Sequence, residues 1–134
     1  MPHLDIKNLV RTVGAGLERL VPSGISVRSD EGTRIVSTPL GEDYLLLGHN
    51  IEMNLAEGAS TEDAVRGASL NMMNELQDVV THVLRRPWPP EAVDKPFEFA
   101  APRAEVRDGI LLLWFDATDM HADRPLVEAE LNDC

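Results

Sequence analysis

Apolar positions recur along residues 60–86 with the period of an α-helix. At 100° per residue, Ala68, Val79, Met72, Val65, Val83, Leu76, Val80, Met73 and Leu84 share one arc of about 160°. Asp63, Gly67, Asn71, Asn74, Asp78, Thr81, His82 and Arg85 lie opposite. The spacing predicts a long amphipathic helix with one broad buried face. Ser60 offers an N-cap with Asp63 at the capping-box spacing, and Glu62 and Asp63 suit the positive helix end. Arg85 and Arg86 suit the negative end, just before Pro87. At roughly 1.5 Å per residue this helix is about 40 Å long, enough to cross a small domain. Ser69 is the polar residue on the apolar arc, and its hydroxyl is expected to donate to a carbonyl one turn earlier.

The same period predicts a first helix over 5–21, capped by Asp5, with Ile6, Leu9, Val10, Val13, Leu17 and Leu20 in one stripe. Gly14 and Gly16 lower its intrinsic helicity and are expected to allow close packing against another backbone. A phosphate loop would need a preceding strand, which this stretch lacks.

Between the helices the period changes to two. Residues 25–55 predict a three-stranded meander: 25–29, a turn at Asp30-Glu31-Gly32, 33–38, a turn at Pro39-Leu40-Gly41, and 44–55. In the last, Leu45, Leu47, His49, Ile51, Met53 and Leu55 share one parity, so they would line one face of a strand bent at Gly48. Residues 87–102 hold Pro87, Pro89, Pro90, Pro96 and Pro102 and predict a stiff connection. A hairpin over 103–116 follows, turning at Asp108-Gly109. Ile110 to Phe115 is apolar throughout, a pattern that calls for cover on both faces. The tail 117–134 is acidic, with a short helix expected from Pro125 to Leu131.

The expected fold is α+β in two layers: a five-stranded antiparallel sheet with two helices on one face, in the order α-β-β-β-α-β-β plus tail. Such a sheet leaves one face open, and a homodimer would supply the missing cover.

The chain has 134 residues, of which 43% are hydrophobic, enough for a core without disulfide or metal. Its one cysteine is Cys134, and no apolar signal stretch opens the chain, so the expected setting is the reducing cytoplasm. No apolar run approaches the length of a membrane span. The formal charge of −11 sets aside nonspecific binding to nucleic acid and to anionic membrane surfaces, and favours a basic protein partner or plain solubility.

Candidate chemistry is sparse. Asp116, Asp119, His121 and Asp123 would supply oxygen and imidazole ligands for a divalent cation if their loop folded back on itself, but the spacing matches no EF-hand and lacks its glycine. His49 and Glu52 are a second candidate, although in a strand their parity sends them to opposite faces; His49 reads as a buried, hydrogen-bonded histidine. His82 has Asp78 one turn back, the spacing of a common surface pair. A nucleophile elbow, a Walker loop, a dinucleotide fingerprint, zinc spacing and HExxH are all absent from the sequence, so no cofactor is expected. Trp114 belongs to the apolar strand. Trp88, between prolines, is a candidate interface anchor if exposed.

Gln77-Asp78, Pro87-Trp88-Pro89, Val106-Arg107-Asp108-Gly109 and Leu113-Trp114 resemble a pattern in small uncharacterised actinobacterial proteins, over roughly the second half of the chain. The layout and acidity of the whole are similar to secretion-chaperone-like proteins, including class I type III secretion chaperones. That resemblance implies a small acidic dimer that binds an extended segment of a partner. The leading expectation is therefore a non-catalytic adaptor or chaperone-like protein, with His49 and Trp88 as candidate partner contacts. The alternatives are a small hydrolase or metal-dependent enzyme using His49 and Glu52 or the 116–123 loop, and an immunity-type inhibitor of a basic toxin.

Overall fold

A computed structural model describes residues 5–22, 24–30, 34–38, 43–84, 101–116 and 125–131. Helix α1 spans Ile6–Leu20, strands β1, β2 and β3 span Ser26–Asp30, Arg34–Thr38 and Asp43–Leu45, and helices α2 and α3 span Leu47–Ala56 and Thr61–Leu84. Strands β4, β5 and β6 follow at Pro102–Arg107, Ile110–Phe115 and Val127–Glu130. The class is α+β.

The two amphipathic helices start at their caps. Asp5 accepts from the Asn8 amide at 3.0 Å, and Ser60 Oγ accepts from the Asp63 amide at 3.2 Å. Along α3, Val65, Ala68, Met72, Met73, Leu76 and Val80 are buried, with Val83 packed against them. Ser69 is fully buried among them, yet its hydroxyl has no hydrogen-bond partner, so the expected bond to a carbonyl one turn back is not made.

Three expectations are corrected. The first is the strand over 44–55: β3 stops at Leu45 and α2 begins at Leu47. Leu47, Ile51 and Leu55 satisfy a helical i, i+4, i+8 stripe as well as the alternation of a strand. The helix end decides between them. Gly58 has φ +99°, its amide bonds Leu55 O at 3.1 Å, and the Ala59 amide bonds Asn54 O at 3.1 Å. This is a Schellman stop, which glycine allows at no steric cost.

The second is the tail. Residues Val127–Glu130 form a strand, with Val127 and Ala129 buried and Glu128 and Glu130 exposed. Pairing with the apolar strand β5 outweighs the helix propensity of Ala and Glu.

The third is the single five-stranded sheet with two helices. Among the described residues there are three helices and two three-stranded antiparallel sheets, ordered β1-β2-β3 and β4-β5-β6. Helix α1 packs on β1 and also on β6, while α3 packs on β4 and pairs with α2. At the β1 edge the Glu18 carboxylate accepts the Val27 amide, occupying a backbone donor that a further strand would need. The glycines of α1 serve this double seat. A Cβ on Gly16 would come 3.0 Å from Val127 Cγ1, whereas on Gly14 it would sit 3.5 Å from the Ser29 amide.

The β4–β5 hairpin turns at Asp108-Gly109 as expected, with φ +54° and +77°, the signs a two-residue type I′ turn requires. Leu111, Leu113 and Phe115 of β5 join Val27, Ile35 and Leu45 of the first sheet in one core, each such side chain contributing roughly 1.5–3 kcal/mol by burial. No helix among the described residues is long and apolar enough to cross a membrane. Residues 87–100 of the Pro-rich connection and the turns expected at Glu31-Gly32 and 39–41 lie outside the described residues, while Pro102, expected to end the connection, opens β4.

Candidate partner-binding surfaces

A groove runs along the C-terminal half of α3. One depression, about 290 Å³, is lined by Gln77, Asp78, Thr81 and His82. A second, about 340 Å³, is lined by Tyr44, Leu45, Glu75, Asp78 and Val79. Asp78 belongs to both. The groove exists because β3, which carries Tyr44, lies beside α3.

Two carboxylates, Glu75 and Asp78, line the second depression. Glu75 is an exposed residue, but the groove wall removes part of its hydration; that loss first, and the Asp78 charge second, raises its pKa above the ordinary glutamate value. Neither Glu75 nor Asp78 makes an ion pair among the described residues. Tyr44 is 41% exposed, with the Arg34 guanidinium 4.6 Å from its ring centroid. The Thr81 hydroxyl oxygen is buried without a hydrogen-bond partner.

A second surface lies on the outer side of the β4-β5-β6 sheet. Pairing sets three rows across it: Arg107–Ile110–Glu130, Glu105–Leu112–Glu128, and Arg103 beside Trp114. Ile110, Leu112 and Trp114 alternate with the core residues of β5 and so form an apolar stripe on this outer side. Leu112 is 7% exposed but stands outside the core cluster, while Ile110 and Trp114 are half-buried. On the β4 flank, Arg107 holds Glu105 at 3.1 and 3.2 Å. Arg103 bonds Asp116 at 2.6 and 2.7 Å, and that bond, with the Asp116 charge, raises the pKa of the guanidinium. On the β6 flank, Glu128 and Glu130 are exposed and unpaired among the described residues.

The residues singled out from sequence fall elsewhere. His49 and Glu52 stand exposed on α2, one turn apart rather than on opposite strand faces, and His49 is not buried. Neither lines the α3 groove. Asp116 is engaged by Arg103. Asp119, His121, Asp123 and Trp88 lie outside the described residues. Among the described residues no three His, Cys, Asp or Glu side chains gather as metal ligands. Asp78, Thr81 and His82 were legible on one polar side of the helix, with Gln77 beside Asp78; Tyr44 joins them through tertiary packing that no local pattern announces. Compared with known proteins, the chain matches no family model, no curated protein and no solved structure.

Proposed function

We propose that the chain is a small, acidic, cytoplasmic partner-binding protein, adaptor or chaperone-like and without catalytic activity. Its α3 groove receives a cationic segment of a protein partner. One observation carries the reading: Glu75 and Asp78 line one depression and make no ion pair among the described residues, and partial burial first, with the Asp78 charge second, holds Glu75 toward its neutral form. An arriving Arg or Lys relieves that repulsion, and the unsatisfied Thr81 hydroxyl gives a partner backbone something to bond. The net charge of −11 steers such a partner toward the surface. No specific observation favours the enzymatic alternative, since His49 and Glu52 stand on an exposed helix face away from the groove.

The test is calorimetric titration with a synthetic peptide of alternating Arg and Leu. Binding is expected, and the Glu75→Gln/Asp78→Asn double variant should weaken it about tenfold. Because a bound cation favours the ionised carboxylate, affinity should rise with pH as Glu75 titrates. Absence of binding, or equal binding by the double variant, would rule the groove out.

A further inference from the structure

We propose that the free edge of β6 binds an extended segment of a protein partner by strand addition, with Lys or Arg at alternate positions of that segment set against Glu128 and Glu130. Backbone hydrogen bonding picks out this edge. In an antiparallel ladder, successive residues turn their N–H and C=O groups to opposite sides. The Leu131 amide donates to Gly109 O at 2.9 Å, and the register therefore turns Val127, Ala129 and Leu131 toward β5. Glu128 and Glu130 turn theirs away from it, and among the described residues nothing bonds those four groups. The edges of β1 and β4 are less open. At β1 the Glu18 carboxylate accepts the Val27 amide, and α1 lies against the Ser29 amide, 3.5 Å from where a Cβ on Gly14 would stand. At β4 the outward positions are Pro102, Ala104 and Val106; Pro102 has no N–H to give, and the other two carry no charge to choose an occupant. Helix α1 meets β6 in another way. Gly16 faces the Val127 side chain, so the helix packs under the inner face of β6 and leaves its edge clear.

Charge selects the occupant. Glu128 and Glu130 are exposed, share the outer side, and make no ion pair among the described residues. An added strand places one residue directly opposite each, with Cβ atoms about 5 Å apart, where opposite charges attract and like charges repel. Two copies of β6 paired in this way would set glutamate against glutamate, so the edge refuses its own chain. A strand with Lys or Arg at both places meets two carboxylates instead. Its residue between them falls opposite Ala129 and turns to the inner side, where Val127 and Ala129 are buried, so an apolar side chain fits there. The occupant is thus a cation–apolar–cation strand, held by main-chain bonds and chosen by its alternate side chains. This edge shares no residue with the α3 groove, and neither reading depends on the other.

The experiment is amide hydrogen exchange, read residue by residue by NMR, on the full chain with and without a capped peptide, Lys-Val-Lys-Val-Lys. In the free protein the Glu128 and Glu130 amides should exchange fast while the bonded amides of Ala129 and Leu131 are protected. Saturating peptide should slow the two edge amides about tenfold or more. The same peptide N-methylated at its lysine amides keeps every charge but loses the donors of the ladder, and should leave them fast. The Glu128→Lys/Glu130→Lys variant should bind the peptide about tenfold more weakly and prefer Glu-Val-Glu-Val-Glu. Both positions are exposed, and the protected core amides in the same spectra check that the variant is folded. Protection of the edge amides in the free chain, no added protection with the peptide, equal protection by the N-methylated peptide, or an unchanged charge preference in the variant would each overturn the assignment. Binding confined to the α3 groove leaves the Glu128 and Glu130 amides fast and counts against the edge.

Discussion

The two sheets share a plan and differ in what they leave outside. Each is three-stranded and antiparallel, each seats part of α1, and their inner faces meet in one core. On the outer side of β1-β2-β3 the row is Arg28–Val36–Tyr44, with one aliphatic residue. Val36 is only 2% exposed there, beside Arg34 on its own strand, whose guanidinium stacks on Tyr44. Long neighbours can roof a single aliphatic residue with their apolar stems. The outer side of β4-β5-β6 carries Ile110, Leu112 and Trp114 in line, and its charged neighbours leave the two end residues half-open. The first sheet presents one aliphatic residue outward and the second an apolar line of three, with Leu112 buried and its two neighbours partly exposed. The difference comes down to β5, which is apolar at every position, whereas β2 is apolar only at Ile35 and Val36.

The strongest challenge to this comparison is aimed at the shared core. Ile35 and Leu113 are both 0% exposed, one on each inner face. Replacing either with Ala removes buried methyl groups and leaves a cavity, at a cost of about 2–5 kcal/mol. With one core, both variants should lower the urea midpoint by similar amounts while unfolding stays a single transition. A biphasic curve, with each variant moving only one phase, would show two cores.

A smaller effect sharpens the picture of how α1 spans the two sheets. Gly16 faces Val127 of the second sheet so closely that a Cβ would lie 3.0 and 3.1 Å from its two γ-carbons. Val127 is buried and β-branched, with little freedom to turn aside. Gly16→Ala should therefore lose about 1 kcal/mol despite the better helix propensity of Ala. Gly14 faces the first sheet, where a Cβ would meet Ser29 at ordinary contact distance. Gly14→Ala should be neutral or gain up to about 1 kcal/mol. Thermal melts of the two variants give the answer by their opposite signs.

The parts of this fold that local chemistry writes were readable in advance. Asp5 and Ser60 marked the starts of α1 and α3, and Asp108-Gly109 marked the β4–β5 turn. Helix α2 was misread because Leu47, Ile51 and Leu55 fit both periods; Gly58 was the signal that should have decided it. Strand β6 was misread because Pro125 and the Ala and Glu after it favour a helix, and only its pairing to β5 outweighs them. The division into two sheets was not legible at all, since side-chain period says nothing about which strand edges meet. The α3 groove is of the same kind: Asp78 and His82 are four residues apart, but Tyr44 reaches them only across the tertiary fold.

The smallest effect concerns that groove and shows as a pH dependence. The Glu75 pKa is raised in the fold, so the native state holds this proton more tightly than the unfolded chain does. Stability therefore falls as pH rises from the ordinary glutamate range through the folded value, and above both values the ionised carboxylate costs the fold its full penalty. Below both, the two states bind the proton alike and the difference vanishes. Glu75→Gln should accordingly stabilise the protein at neutral pH, by a fraction of a kcal/mol given how exposed the side chain is, and should leave it unchanged in acid. The measurement is the melting temperature of Glu75→Gln and of the parent protein against pH. A Glu75→Gln gain that persists undiminished in acid would mean that the glutamate is unfavourable for a reason other than its charge, and the argument for a cationic partner in the groove would lose its footing.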